Sequence, residues 1–386
     1  MNILFVSQYG QLAASSRTRV FQYLPYLRTR NVEARVLTVL PDAAISGSQI
    51  QVTRNPLRKL RYYLWASWRT AACGLLAWFK AFDVDILFIQ KVVFPAPVRW
   101  LFRLSRPILV YDFDDAIFTT ELQAGANWLA ALKARRNARG LPAMLSLADR
   151  AIVENEYTGA FARTYCPTLT ITGPVDTELY GGTPPDGSAE GSADGSADGC
   201  GNGPVVLGWI GSATTLQYLE LISAPLSRLG KRFPNLRLDV VGAEAPAMNG
   251  LPVQSRPWDL EREGEDLRGF DIGLMPITDD AWTRGKGGYK LLQYMASGLP
   301  VVTSPVGVNR EIVSDGESGF WAADELEWEE KLARLVQDRQ LRQEMGQRGR
   351  AAVQARYALS LHQERLLEML LSLVCERKQG GGRGDG

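Results

Sequence analysis

A single histidine, His362, stands among 386 residues, close to the C-terminus. A serine–histidine–aspartate triad and a multi-histidine metal centre are thereby almost excluded. Cysteine is scarce as well. Cys73, Cys166, Cys200 and Cys375 lie far apart with no CxxC spacing. That speaks against a zinc site or a disulfide framework and fits a reducing compartment. Neither sign of charge dominates: Lys plus Arg is 43 and Asp plus Glu is 42, a net of +1, and nothing in that balance points to nucleic acid. No apolar run reaches the ~18 residues of a membrane-spanning helix. The opening MNILFVSQYG lacks a basic n-region and a small-residue cleavage site, so it reads as a buried first strand and not as a signal peptide. No GxGxxG follows that strand, which sets aside a dinucleotide oxidoreductase.

What is present is ordinary for a soluble enzyme: 46% apolar and 22% charged residues. The length suits two domains, each with its own core. Short apolar runs at 1–7, 34–40, 86–90, 108–112 and 151–154 alternate with helical patterns such as Val20, Leu24 and Leu27. Strands that alternate with helices imply parallel βαβ units. Gly181 to Pro204 interrupts them. It holds GSAE, GSAD and GSAD in succession from Gly187, cannot bury a core, and reads as a flexible acidic linker spanning roughly 25–30 Å. Alternation resumes with strands at 205–210, 236–241, 272–275 and 300–303, and helices at 215–233, 286–295 and 325–374, the last broken near Tyr357. The expected domains are 1–180, a linker 181–204, 205–374, and a disordered tail 375–386.

The segment Gly285 to Gly307 reads GKGGYKLLQYMASGLPVVTSPVG, and Glu311 to Phe320 reads EIVSDGESGF. Gly285, Gly287 and Gly288 remove side chains where backbone must approach a ligand. The helix that follows aims free amides and a positive dipole end at that loop, an anion site. Lys286 and Lys290 are four apart, so one helical face presents both to a diphosphate. The competing reading is a glycine turn with two solvated lysines.

This stretch resembles the C-terminal domain of family 4 (group 1) glycosyltransferases, where a Gly-rich loop opens a helix that ends in EAMACGLPVV and leads to G…EIV.DG..G. ADRAIVENEYT from Ala148 and GPVDTELY from Gly173 resemble the family more weakly. The resemblance implies an α/β GT-B fold: two Rossmann-like doubly wound domains facing across a cleft. It implies sugar transfer from a nucleoside diphosphate sugar to a hydroxyl acceptor with retention at the anomeric carbon. It also implies no metal or cofactor, the nucleotide sugar being a co-substrate. Gly307 and Glu311 fall on the donor side of the motif.

The chain departs from the family in two places there. The family's two glutamates, eight residues apart, are here Gly285 and Gln293. Gln293 retains hydrogen-bonding groups for a ribose but no charge, which shifts leaving-group stabilisation onto Lys286 and Lys290. The family's Arg and Lys after the first strand of this domain are absent from GWIGSATTLQYL. Gly211 and Ser212 then offer amides and a hydroxyl to a phosphate, or form a plain strand-to-helix turn. Arg256 and Trp258 follow the next strand, either bordering a nucleobase or packing at the surface.

In the N-terminal half, VYDFDDAIF ends a strand with Asp112, Asp114 and Asp115. By the resemblance, Asp114 falls at the histidine and Asp115 at the aspartate of a family His-Asp pair beside the donor sugar, and Asp114 is the candidate proton acceptor. Helix capping is the bland alternative. A DxD pattern binds metal in GT-A enzymes, but the rest of the chain does not look like that fold, and no metal is expected. Ser15, Ser16, Arg17 and Arg19 follow the first strand, facing a phosphate or sugar, or beginning a solvated helix. Ala43 to Phe82 has no acidic residue, six basic ones from Arg54 to Lys80, and interleaved Tyr62, Tyr63, Trp65, Trp68, Trp78 and Phe79. Such a segment suits an anionic membrane surface or a lipid-linked acceptor, or else is a partly buried helix. The expected protein is cytoplasmic, peripheral at the inner face of the membrane, and makes polysaccharide or glycolipid. A non-catalytic nucleotide-sugar binder and a nucleotide-sugar epimerase stand as alternatives.

Overall fold

Residues 1–42, 55–105, 107–119, 128–181 and 203–381 are described by the structure, a computed structural model. They form two compact units. Unit 1 comprises Met1–Pro174, Asp280–Gly287 and Ser360–Gly386; unit 2 comprises Val175–Asp279 and Gly288–Leu359. The expected linker lies outside the described residues apart from Gly181, Gly203 and Pro204.

Unit 1 is built on a six-stranded parallel sheet: β1 (Asn2–Tyr9), β2 (Glu33–Leu40), β3 (Ile86–Gln90), β4 (Ile108–Phe113), β5 (Arg150–Val153) and β6 (Thr168–Thr170). The order is β2-β1-β3-β4-β5-β6. Strands β3 and β4 are buried at every position, as a sheet covered on both faces requires. The helices are α1 (Ala14–Arg19), α2 (Leu24–Thr29), α3 (Pro56–Lys80), α4 (Ala96–Ser105), α5 (Trp128–Leu145) and α6 (Glu156–Ala162). The helical pattern of Val20, Leu24 and Leu27 is divided between α1 and α2 after Val20, and Pro25, which has no N–H, sits in the first turn of α2. One buried cluster joins Cys73 and Ala77 of α3, Phe102 of α4 and Met144 of α5 to Leu87, Leu109 and Ala151 of the sheet.

Unit 2 holds a second parallel sheet: β7 (Val205–Ile210), β8 (Leu236–Val241), β9 (Val253–Arg256), β10 (Ile272–Met275), β11 (Val301–Thr303) and β12 (Gly319–Trp321), in the order β12-β11-β10-β7-β8-β9. Its helices are α7 (Gln217–Glu220), α8 (Ser223–Arg232), α9 (Glu263–Arg268), α10 (Tyr289–Ala296), α11 (Asn309–Ile312), α12 (Glu325–Gln337) and α13 (Arg339–Arg356). The long helical stretch after 325 breaks at Asp338, whose side chain accepts from Leu341 N–H to cap α13, as well as at Tyr357.

The last helix, α14 (Leu359–Gly381), joins unit 1 from Ser360 on, where Arg365 donates to the Thr170 carbonyl and Leu366, Leu370 and Leu373 are buried. Residues 375–381, expected as disordered tail, therefore continue a helix; 382–386 lie outside the described residues.

Candidate functional site

In a doubly wound sheet, ligands gather at the carboxyl ends of strands where the strand order reverses. In unit 2 that point lies between β7 and β10. The loop after β7, Gly211 to Leu216, sits there, and Lys290 of α10 reaches it. Its Nζ is 4.1 Å from the centroid of the Trp209 ring and 3.5 Å from Thr215 Oγ1. Helix α10 starts at Gly288, whose φ of +64° is left-handed and suits glycine. Lys290 therefore occupies the first turn, at the positive dipole end of the helix.

Several expected residues have other duties. Lys286 precedes α10 in an extended conformation and belongs to unit 1, so it does not share a helical face with Lys290. The Gly211 amide is bonded to the Val241 carbonyl and so is not offered to a phosphate. Ser212 is exposed, its hydroxyl bonded to Thr214 Oγ1. Arg256 ends β9, pairing with Asp239 at 3.1 Å and Asp266 at 2.8 Å, both buried carboxylates. Its charge is held by protein groups, not set beside a nucleobase. Gln293 is buried with its amide donating to Tyr180 Oη at 3.0 Å. Tyr180 in turn donates to Glu263, which also accepts from Trp258 Nε1. The ribose contact expected of Gln293 is thus replaced by an interior network. Gly307, with φ +53°, and the exposed Glu311 follow β11 at the same strand-end edge of the sheet.

The glycines before α10 serve packing within unit 1, not ligand approach. A Cβ at Gly285 would meet Ala116, and one at Gly287 would fall inside the Glu154 carboxylate. Asn155 Nδ2 donates to the Arg284 and Lys286 carbonyls at 3.2 and 3.0 Å, tying the strap down. Gly287→Ala is expected to displace Glu154 and cost about 1–3 kcal/mol, read as a lower denaturant midpoint.

The order reversal in unit 1 lies between β1 and β3. Gln90, ending β3, accepts from the Ser16 hydroxyl at 2.9 Å and donates to Ser15 Oγ at 2.9 Å. Ser16 also accepts from Tyr9 N–H and is fully buried, so it shapes the loop and faces no ligand. Arg17 is half-buried, its guanidinium donating to the Leu12 carbonyl. Lys91 follows with φ +63°, rare for a residue with a Cβ. Its ammonium is 2.7 Å from Asp114 Oδ1 and also pairs with Asp115. Burial raises the Asp114 carboxyl, but the Lys91 charge outweighs it and holds the group below its ordinary range. Asp114 is therefore a weak base, contrary to the expected proton acceptor. Burial likewise opposes the charge on Lys91, and the two aspartates more than offset it.

Arg19 and Asp112 are buried, not exposed to an acceptor. Arg19 donates through Nε to both Asp112 oxygens, at 3.1 and 3.0 Å, through Nη2 to Asp112 at 2.6 Å, and through Nη1 to Glu154 at 2.9 Å and the Ile171 carbonyl at 2.6 Å. Glu154 also accepts from Gly173 N–H at 2.7 Å. One guanidinium thus ties together the carboxyl ends of β4, β5 and β6. Burial lifts Glu154 to about 7 and Asp112 to about 6, while Arg19 pulls both the other way. A carboxyl whose folded value exceeds its unfolded one binds more protons when folded, so stability falls as pH rises through that window. Between the ordinary 4.5 of Glu154 and about 7, the unfolding free energy is expected to decline with pH, and Glu154→Gln to flatten the decline in denaturant titrations.

Lys91, Glu154, Glu263 and Tyr180 were not legible as site residues. Lys91 directly follows the end of β3 at an order reversal, a signal available once strand order is known; the other three give no local signal. Among the described residues no group of three or more His, Cys, Asp or Glu side chains is placed to hold a metal.

Residues 204–338 match the family model described as glycosyl transferases group 1. The chain is 24% identical over 198 residues to D-inositol 3-phosphate glycosyltransferase of Corynebacterium urealyticum, covering 45% of each protein. Over 86 residues it is 33% identical to trehalose synthase of Pyrococcus horikoshii, 22% of this chain and 21% of that one. The chain thus spans less than half the length of either curated relative. Two solved structures share the fold. The Anabaena protein Alr3699/HepE in complex with UDP and glucose has a TM-score of 0.62 at 16% identity, covering 96% of this chain and 99% of that one. Sucrose-phosphate synthase from Thermosynechococcus elongatus has a TM-score of 0.64 at 16% identity, with coverage of 96% and 99%.

Proposed function

We propose that this chain, which has the GT-B fold and matches the group 1 glycosyl transferase model over residues 204–338, is such a transferase and moves a sugar from a nucleoside diphosphate sugar to a hydroxyl acceptor. The observation that carries the reading is Lys290, set in the first turn of α10 at the order reversal of the unit 2 sheet. An ammonium at the positive end of a helix dipole attracts a diphosphate. As the bond from the anomeric carbon to the diphosphate breaks, the leaving oxygen takes the electron pair, and a fixed cation lowers that charge's energy. The acceptor oxygen forms the new bond, and its proton leaves to solvent or to the departing phosphate. The configuration at carbon is retained on this reading.

The Anabaena structures hold UDP and UDP-glucose, and the donor here is read as the same chemical class. Gly307 and Glu311 belong to the donor side, and Lys91 with Asp114 and Asp115 to the acceptor side. The acceptor is a glycan or a lipid-linked sugar, the protein is cytoplasmic, and the product enters a polysaccharide or glycolipid. Incubation with a panel of nucleotide sugars and such acceptors tests this: nucleoside diphosphate is released and the acceptor gains one sugar. Gln293, drawn into the interior in place of a charged residue, favours a second reading as a non-catalytic binder. Donor binding without release across the panel would establish that second reading.

A further inference from the structure

Helices α3, α4 and α5 cover one face of the unit 1 sheet and share its buried cluster. They pack closely: a Cβ on Gly74 of α3 would meet Val98 of α4 at 2.7 Å, and one on Gly140 of α5 would meet Arg99 of α4 at 3.3 Å. Their sequences contain five, two and four basic residues respectively, and no aspartate or glutamate in any of the three. The whole chain is nearly neutral, with 43 basic and 42 acidic residues, so eleven basic residues and no acidic one is a strong local bias. Along α3, Leu57, Leu64, Trp68, Leu75 and Phe79 recur at helical spacing and are all exposed. Trp68 is 65% exposed, Trp100 of α4 59% and Trp128 of α5 69%. Single exposed apolar residues are commonplace. Large aromatics on three adjacent helices, among arginines and without one acidic residue, are not.

We infer that this three-helix face docks on an anionic lipid bilayer, lying in the interface and not crossing it. No described helix is long and apolar enough to span a membrane. Tryptophan and leucine enter the headgroup and upper acyl region, while arginine and lysine meet lipid phosphates. A nucleic acid would satisfy the charge but leave the Leu57-to-Phe79 stripe in water. The inference stands on this surface and not on the transferase reading, since the binding it describes needs no donor.

Sedimentation of the full chain with vesicles, without nucleotide sugar, tests it. The protein is expected to pellet with phosphatidylcholine vesicles containing phosphatidylglycerol, and far less with phosphatidylcholine alone. Raising the salt should weaken binding without abolishing it. Trp68→Glu and Trp100→Glu, both at exposed positions, are each expected to lower partitioning on the order of tenfold with unchanged thermal unfolding. Arg58→Glu with Arg61→Glu should remove the preference for anionic lipid. Failure to pellet with anionic vesicles, or pelleting indifferent to all of these substitutions, would overturn the inference. So would displacement from vesicles by a single-stranded RNA that binds the tryptophan variants as well as the unaltered chain.

Discussion

Replacing Lys290 with alanine is expected to lower release of nucleoside diphosphate by about 10²–10³-fold, the usual effect of removing one preorganised group from a developing charge. The expectation rests on placement. Lys290 stands in the first turn of α10, over Trp209 and within reach of Thr215 at the order reversal of its sheet. Lys286, the other cation expected to share its task, lies before the helix. Lys290 is half-buried and on the first turn, so its removal should leave the thermal unfolding profile close to that of the unaltered chain. Lost turnover with an unchanged melt is the expected pair of results. Unchanged turnover would place the leaving-group charge elsewhere.

The second large effect concerns stability. Arg19→Met leaves Asp112 and Glu154 buried without their cation, and removing one member of a buried charge group costs about 3–5 kcal/mol. The denaturant midpoint of unit 1 should fall accordingly. Because the loss comes from orphaned carboxylates, adding Asp112→Asn and Glu154→Gln to Arg19→Met should recover part of it. A triple variant no more stable than the single one would show that the guanidinium acts mainly through its bond to the Ile171 carbonyl.

The fold was largely legible because parallel strands in a doubly covered sheet announce themselves as short apolar runs; β1, β3, β4, β7 and β8 fell close to where periodicity put them. β6, β9 and β12 were not read: each has three or four residues, and β6 and β9 lack the fully buried apolar run that marks β10 and β11. The candidate site was legible only where function and local sequence coincide. Lys290 stood out because a glycine, a helix start and a lysine adjoin in the chain. Gly285 and Gly287 were misread because glycine marks close approach without saying to what; here the neighbours are Ala116 and Glu154. Arg19 looked like a helix-start cation, and its partners lie 93 and 135 residues away. Burial, which decides whether a charge is structural or available, is a property of such distant pairs.

The strap at Asp280–Gly287 and the return of the chain at Ser360 also bear on the order of synthesis. Unit 1 draws on segments that precede and follow unit 2 in the chain, whereas unit 2 ends at Leu359. On the ribosome, where N-terminal domains ordinarily close first, every residue of unit 2 has been polymerised before unit 1 has its final helix. The sheet of β1 to β6 is therefore made long before α14 is there to pack against it.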